Sequence, residues 1–290
     1  MTAPGPEPPF RVLGLVGLGL IGGSIAAQCR RAWPGVQIVG VDRPSVLAEA
    51  RGRGLIDDEA DRVEALATAD LIVLAVPIPA ILESIQALAR VKVTGVVTDV
   101  GSTKRQIMAA ARDAGLAAFV GGHPMAGAEL GGLAHARPEL FAGRPWLLVE
   151  GAAGGAILER LQIFLRGLGA APQAIDAEQH DRVVACVSHL PQILSVALMN
   201  TAADAVGEAG LRTAGPAFAD LTRLASSPVE VWTSILATNA DFVAEALERL
   251  RANLPSGASS LSRGEWAADA FPRAGSARTR LSVLPPTRRE

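Results

Sequence analysis

Tyrosine is absent from the 290 residues, and lysine occurs only at Lys92 and Lys104. The first absence excludes any mechanism that needs a tyrosine general acid. The second leaves the chain beyond Lys104 without a lysine for acid–base work. Cysteine is as scarce. Cys29 and Cys186 stand alone, which excludes a disulfide framework or zinc cluster and fits a reduced, cytoplasmic setting. Neither sign of charge is in large excess. A formal net charge of −2 argues against nucleic-acid binding driven by phosphate contacts and leaves a small-molecule ligand. The apolar runs in the first part of the chain are short too. The apolar stretch from Val12 is broken by patterned glycines and falls short of the ~20 residues that span a bilayer, and Leu71–Ala75 is shorter still. No nucleic acid and no membrane are expected as partners.

What is present is core. Apolar residues make up 49% of the chain, enough for about two domains at ~150 residues each. Residues 1–10, rich in proline, are expected to form a disordered tail. Short apolar runs then alternate with helical periodicity. Strands are expected over Arg11–Val16, Val36–Val41, Asp70–Val76, Gly95–Asp99 and Ala118–Gly121. Helices are expected over Leu20–Arg31, Ser45–Arg53, Ala80–Ala89 and Lys104–Ala114. Trp146–Val149 and Pro172–Ile175 add edge strands around a helix at Ile157–Leu168. The alternation implies βαβ units and a parallel-rich sheet.

Beyond residue 175 the strands stop. Glu178–Val206 reads as a long apolar helix interrupted by Pro191, and Phe218–Ala225 and Val229–Leu250 as two more. A helix apolar on several faces needs partners on several faces, so this part is expected to bury itself against a second copy. Gly264–Leu281 reads as a helix broken by Pro272. The resulting division is 11–175, an α/β Rossmann-type domain, and 176–290, an all-α dimerisation domain partly disordered over 255–290.

Gly17, Gly19 and Gly22 form G-x-G-x-x-G between a strand and a helix. In such a turn the first glycine permits the tight bend, the second admits a pyrophosphate, and the third packs the helix on the sheet. The helix N-terminus, with Leu20 and Ile21, offers free N–H groups to the phosphates. The next strand ends at Asp42, the position of an acid that bonds a ribose 2′-hydroxyl and repels a 2′-phosphate. NAD is therefore expected. Arg43 is the residue through which NADP would be the alternative, and Val76 closes the cofactor side of the later strand. A secretory signal beginning at Arg11 would leave Asp42 and the following βα units unexplained.

Ser102, in Asp99-Val-Gly-Ser-Thr-Lys104, is either a helix cap or a hydroxyl aimed at a substrate. His123 sits in the glycine-rich segment Gly121–Gly127, where a neutral imidazole can take a proton from a hydroxyl while hydride leaves the same carbon. His180-Asp181 and Ser188-His189-Leu-Pro-Gln192 lie on the long helix, where a satisfied buried histidine is the default. Arg223 wants a carboxylate, from a ligand or from Asp220 three residues earlier.

Taken in order, GLGLIGGS, DVGSTK, GGHPMAGAE, HDRVVACVSHLP and DLTRLASSPVEVW resemble the prephenate dehydrogenases over residues 11 to about 250. The resemblance implies an NAD-dependent homodimer that oxidatively decarboxylates prephenate or arogenate. It implies that His123 takes the proton of the ring 4-hydroxyl and that Ser102 positions that hydroxyl and the nicotinamide. Arg223 would clamp a substrate carboxylate, Glu129 would lie near the substrate entrance, and His189 and Gln192 would contact substrate. Gln192 stands where prephenate-preferring relatives often carry histidine, so the choice between the two substrates stays open. Two other readings are weaker. A β-hydroxyacid dehydrogenase or imine reductase would use a lysine on its helical part, and none follows Lys104. A non-catalytic dinucleotide sensor would not need His123 and Ser102 together.

Overall fold

Runs of valine, isoleucine and leucine without polar alternation suit strands buried on both faces, as in a parallel sheet covered by helices. The computed structural model describes residues 7–127, 130–152 and 154–281. Its strands are β1 (Val12–Val16), β2 (Gln37–Val41), β3 (Asp58–Glu59), β4 (Leu71–Leu74), β5 (Val96–Asp99), β6 (Phe119–Pro124), β7 (Pro145–Val149) and β8 (Ala171–Ala174). Every residue of β4, β5 and β6 is buried. One sheet results, in the order β3-β2-β1-β4-β5-β6-β7-β8. All neighbours run parallel except β6 and β7, which are antiparallel. The strand order reverses beside β1, which pairs with both β2 and β4. Ligands of such sheets bind outside the carboxyl ends of the strands at this switch point.

Helices α1 (Leu20–Ala32), α2 (Pro44–Gly52), α3 (Ile78–Leu88), α4 (Arg105–Asp113) and α5 (Gly155–Gly167) accompany the strands. They are followed by α6 (Ala177–Val184), α7 (Leu190–Leu211), α8 (Pro216–Thr222), α9 (Val229–Thr238), α10 (Ala240–Asn253), α11 (Ala258–Ser262) and α12 (Glu265–Leu281). The chain divides into two compact units, residues 1–240 and 241–290. In the first, two buried clusters fill the two faces of the sheet. One centres on Leu13, Leu15, Ile25 and Phe164, the other on Ile72, Leu74, Ile81 and Ile85. In the second, Trp266 donates its Nε1–H to the Asn253 carbonyl at 2.8 Å and meets Phe271 edge to face.

Four expectations are corrected. The tail expected over 1–10 does not include Phe10, which is 1% exposed, meets Phe164 edge to face at 5.7 Å, and lies under the Arg160 guanidinium; residues 1–6 lie outside the described residues. Burying one such ring is worth ~1.5–3 kcal/mol. Pro191 does not interrupt the long helix. The backbone widens to a π turn over Ala185–His189, immediately before the proline's missing N–H, and continues as α7. Val229–Leu250 is two helices, parted at Asn239, whose φ of −137° is not helical. The helix α12 runs on through Pro272, forgoing the one bond that proline cannot donate. The two-residue strand β3 had no pattern to announce it.

Candidate active site

The glycine turn follows β1 and opens α1. Gly17 has φ +89°, and a Cβ there would lie 2.4 Å from the Ala75 carbonyl oxygen and 2.7 Å from Val76 Cγ1. At Gly22 a Cβ would lie 1.9 Å from the Gly17 carbonyl oxygen. Both glycines are thus required by the packing of turn on strand. Gly19 differs, because a Cβ there would meet nothing within 4 Å. The open position is the one a pyrophosphate needs, in front of the half-buried Leu20 and Ile21 and the unpaired amides of the helix start.

Asp42 closes β2 beside this turn. One carboxylate oxygen accepts the Leu18 N–H at 2.6 Å, and the other accepts the Arg43 N–H at 2.7 Å. The acid therefore braces the turn. The Arg43 side chain is 83% exposed and stands 3.9 Å from Asp42.

The loop from β5 to α4 is held by buried ions that the sequence did not flag. Lys104 and Asp99 are fully buried and paired. Lys104 Nζ also donates to the Gly122 carbonyl at 2.7 Å, and Asp99 accepts the Gly122 N–H at 3.0 Å. The pair thus clamps both backbone groups of the residue before His123. Gly122 admits no side chain, since a Cβ would lie 2.4 Å from the Asp99 carbonyl oxygen. The first amides of α4 are capped by a distant acid rather than by Ser102. Asp181 on α6 accepts the Lys104 N–H at 2.7 Å, the Arg105 N–H at 2.9 Å and Arg105 Nε at 3.2 Å. Thr238 donates its proton to its own helix, so the Thr103 hydroxyl donates to Thr238 Oγ1 at 2.8 Å. Ser102, freed from capping, is half-buried and makes no hydrogen bond among the described residues.

Three histidines gather on this frame. His123, on β6, is 9% exposed, and its Nδ1 lies 2.9 Å from His180 Nε2. His180 Nδ1 lies 2.8 Å from Asp181 Oδ1. His189 is 1% exposed, stands edge-on to Trp232, and faces Asn239 Nδ2 through its Nδ1 at 3.3 Å. Burial first, then the neighbouring His180, Lys104 and His189, hold His123 well below the ordinary imidazole range. Burial likewise lowers His180, and pushes His189 down to about 4. All three rings are neutral near pH 7. Burial pushes Asp181 up, but the bonds it accepts from His180, Arg105 and Lys104 leave its carboxyl below the usual range.

Arg223 opens a 3-10 turn, Arg223–Ser226, after α8. The junction lies at Thr222, whose φ of −100° and ψ of 2° close α8. Gln192, expected to bond substrate directly, has both ends of its amide engaged. Its NH2 donates to the Leu224 carbonyl at 2.8 Å and its oxygen accepts from Ser227 Oγ at 3.2 Å. It ties the Arg223 turn to α7. Glu129 lies outside the described residues.

The glycine turn suits a dinucleotide, and a neutral histidine near the carboxyl end of another strand of the same sheet suits proton transfer. The two define a class: an oxidoreductase that works with a nicotinamide dinucleotide. The chain belongs to the prephenate dehydrogenase family. Residues 25–173 match the nucleotide-binding domain of prephenate dehydrogenase, and residues 176–269 match its dimerization domain. The prephenate dehydrogenase of Lactococcus lactis subsp. cremoris is 36% identical over 247 residues, covering 83% of this chain and 68% of that protein. The Aquifex aeolicus prephenate dehydrogenase, solved with hydroxyphenyl propionate and NAD+, superposes with a TM-score of 0.84 at 25% identity, covering 95% of this chain and 98% of that one. The Synechocystis arogenate dehydrogenase superposes with a TM-score of 0.80 at 30% identity, covering 93% of this chain and 99% of that one.

Proposed function

We propose that the chain oxidatively decarboxylates prephenate to 4-hydroxyphenylpyruvate with NAD. The observation that carries this is His123: neutral, buried, hydrogen-bonded through Nδ1, and seated near the carboxyl end of β6 in the sheet whose β1 carries the dinucleotide turn. The residues present fit the cofactor. Gly17, Gly19, Gly22, Leu20, Ile21 and Val76 would hold its pyrophosphate end, and Asp42 its ribose, with Arg43 as the residue that would favour NADP. NAD, when bound, supplies the hydride acceptor. His123 Nε2 takes the proton of the ring 4-hydroxyl as the hydride leaves the same carbon. The carbon–carbon bond to the ring carboxylate then breaks, CO2 departs, and the electron pair completes the aromatic ring as the 4-oxygen takes back the proton that His123 holds. Ser102 positions the hydroxyl. Arg223 clamps a substrate carboxylate, Gln192 steadies the Arg223 turn, His189 donates a hydrogen bond within the site, and Glu129 stands near the substrate entrance.

The likeness to an arogenate dehydrogenase at 30% identity supports a second reading, in which the substrate carries an amino acid side chain and the product is tyrosine. We further propose a division at residues 175/176 and a homodimer through the helical part. Within the helical span Ala177–Leu211 an apolar window of 18 residues has a mean hydropathy of 1.5 and is 28% buried, and Val187, Leu194 and Leu198 are exposed. That length and composition would also suit a membrane span. The match to a dimerization domain favours a second copy as the cover, in a cytoplasmic enzyme. His123→Asn tests the core of the proposal. It should lower kcat by ~10²-fold or more, the scale of a lost general base, with NAD affinity kept. An unchanged kcat removes His123 from the mechanism.

A further inference from the structure

His123 and His189 differ in which ring nitrogen carries the proton, and their neighbours decide it. A carboxylate only accepts. Asp181 faces His180 Nδ1 at 2.8 Å, so His180 carries its proton there and its Nε2 is a lone pair. That lone pair faces His123 Nδ1 at 2.9 Å. His123 is therefore protonated on Nδ1 and bare on Nε2.

Around His189 the order is reversed. A guanidinium only donates. Arg105 Nη2 meets Asn239 at 3.1 Å, so that side of the Asn239 amide is its oxygen. The opposite side reaches the Asp181 backbone carbonyl at 2.8 Å, an acceptor that demands the NH2 there. The same NH2 faces His189 Nδ1 at 3.3 Å, which is then the lone pair, and the His189 proton sits on Nε2. Asn239 is fully buried, so no solvent competes for these bonds. Asp181 takes part on both sides, through its carboxylate toward His123 and through its backbone carbonyl toward His189.

We propose that Asp181 with His180, and Asn239 with Arg105, are positioning residues that assign opposite tautomers to the two histidines. His123 becomes the proton acceptor of the site, and His189 a fixed hydrogen-bond donor that cannot act as base. This rests on the reading of His123 as the base. The wiring makes that assignment independent of the substrate, because it is complete in the protein alone.

The chain has four histidines, and three of them form this cluster, so long-range proton–nitrogen spectra of the 15N-labelled full chain near neutral pH resolve every ring. The expected spectrum has His123 Nε2 and His189 Nδ1 unprotonated. A proton on His123 Nε2 or on His189 Nδ1 overturns the proposal, and the wild-type spectrum decides this even where a variant fails to fold. Asn239→Asp replaces the donor facing His189 with an acceptor. It should move the His189 proton to Nδ1 and leave His123 unchanged. His180→Phe removes the lone pair facing His123. It should mix the two His123 tautomers and leave His189 unchanged. In both variants kcat should fall about tenfold or more, as when a partner orienting an imidazole is lost, with KM little changed. Folded variants with wild-type ring shifts would contradict the assignment. If the shifts follow it but His123→Asn retains full turnover, the tautomers stand and the reading of His123 as base fails.

Discussion

A buried imidazole that stays neutral ties stability to pH. His189 titrates near 4, because burial, then His180, disfavour its charged form. In the unfolded chain it titrates near ~6.5. Between those values the unfolded chain binds a proton that the folded chain refuses, so stability is fully present above about pH 6.5 and is lost as pH falls toward 4. For His189 alone the loss amounts to about 3 kcal/mol, and the lowered His123 and His180 add in the same direction. Denaturant midpoints should fall steadily across that window, and less steeply in His189→Gln. A wild-type midpoint that does not move would show that these rings are protonated in the fold. The place of His123 near the end of a strand was legible in the sequence, from the apolar run that leads into its glycine-rich segment. The role of Asp181 was not, because it caps Lys104 and Arg105 from 77 and 76 residues away. No local pattern encodes a partner at that distance. Gln192 was conspicuous after Ser188-His189-Leu-Pro, but its bracing of Leu224 and Ser227 depends on how a later turn folds back on α7.

At the scale of the element, the strand–turn–helix of β1 and α1 separates cofactor binding from folding. Gly22→Ala would drive a methyl to 1.9 Å from the Gly17 carbonyl and should destabilise the protein by ~1–3 kcal/mol, the usual cost of overpacking. Gly19 has an ordinary φ of −73° and open space before it. Gly19→Ala should therefore leave the melting temperature near wild type and weaken NAD about tenfold, or ~1.4 kcal/mol. A titration of each variant with NAD, beside its thermal melt, checks both. Equal stability loss in the two would refute the separation. The parallel strands were legible because their apolar runs are uninterrupted. The proline readings failed for a physical reason. Pro191 follows a π turn that had already shifted the hydrogen-bond ladder, and Pro272 forfeits one bond in a helix that keeps the rest. Phe10 was missed because composition announced a tail while one ring found Phe164 and Arg160.

For the whole molecule, fold and chemistry meet at the carboxyl ends of the sheet's strands. The switch point beside β1 fixes where the dinucleotide turn lies. The buried Lys104–Asp99 pair fixes Gly122 and so the start of the histidine chain. Asp181, from the helical part of the first unit, caps α4 and sets the tautomers, so the Rossmann strands alone do not complete the site. The change of composition after residue 175 was legible because strands cease and apolar helices begin. The union of the two parts rests on Asp181, Asn239 and Thr238, which no periodicity marks.

The central claim is tested most directly by following NADH formation with the purified full chain, NAD, and either prephenate or arogenate in parallel tubes. The account predicts turnover with prephenate, lost in His123→Asn. Turnover of arogenate alone would reassign the substrate and keep the mechanism. No turnover of either, with NAD or NADP, would contradict the account.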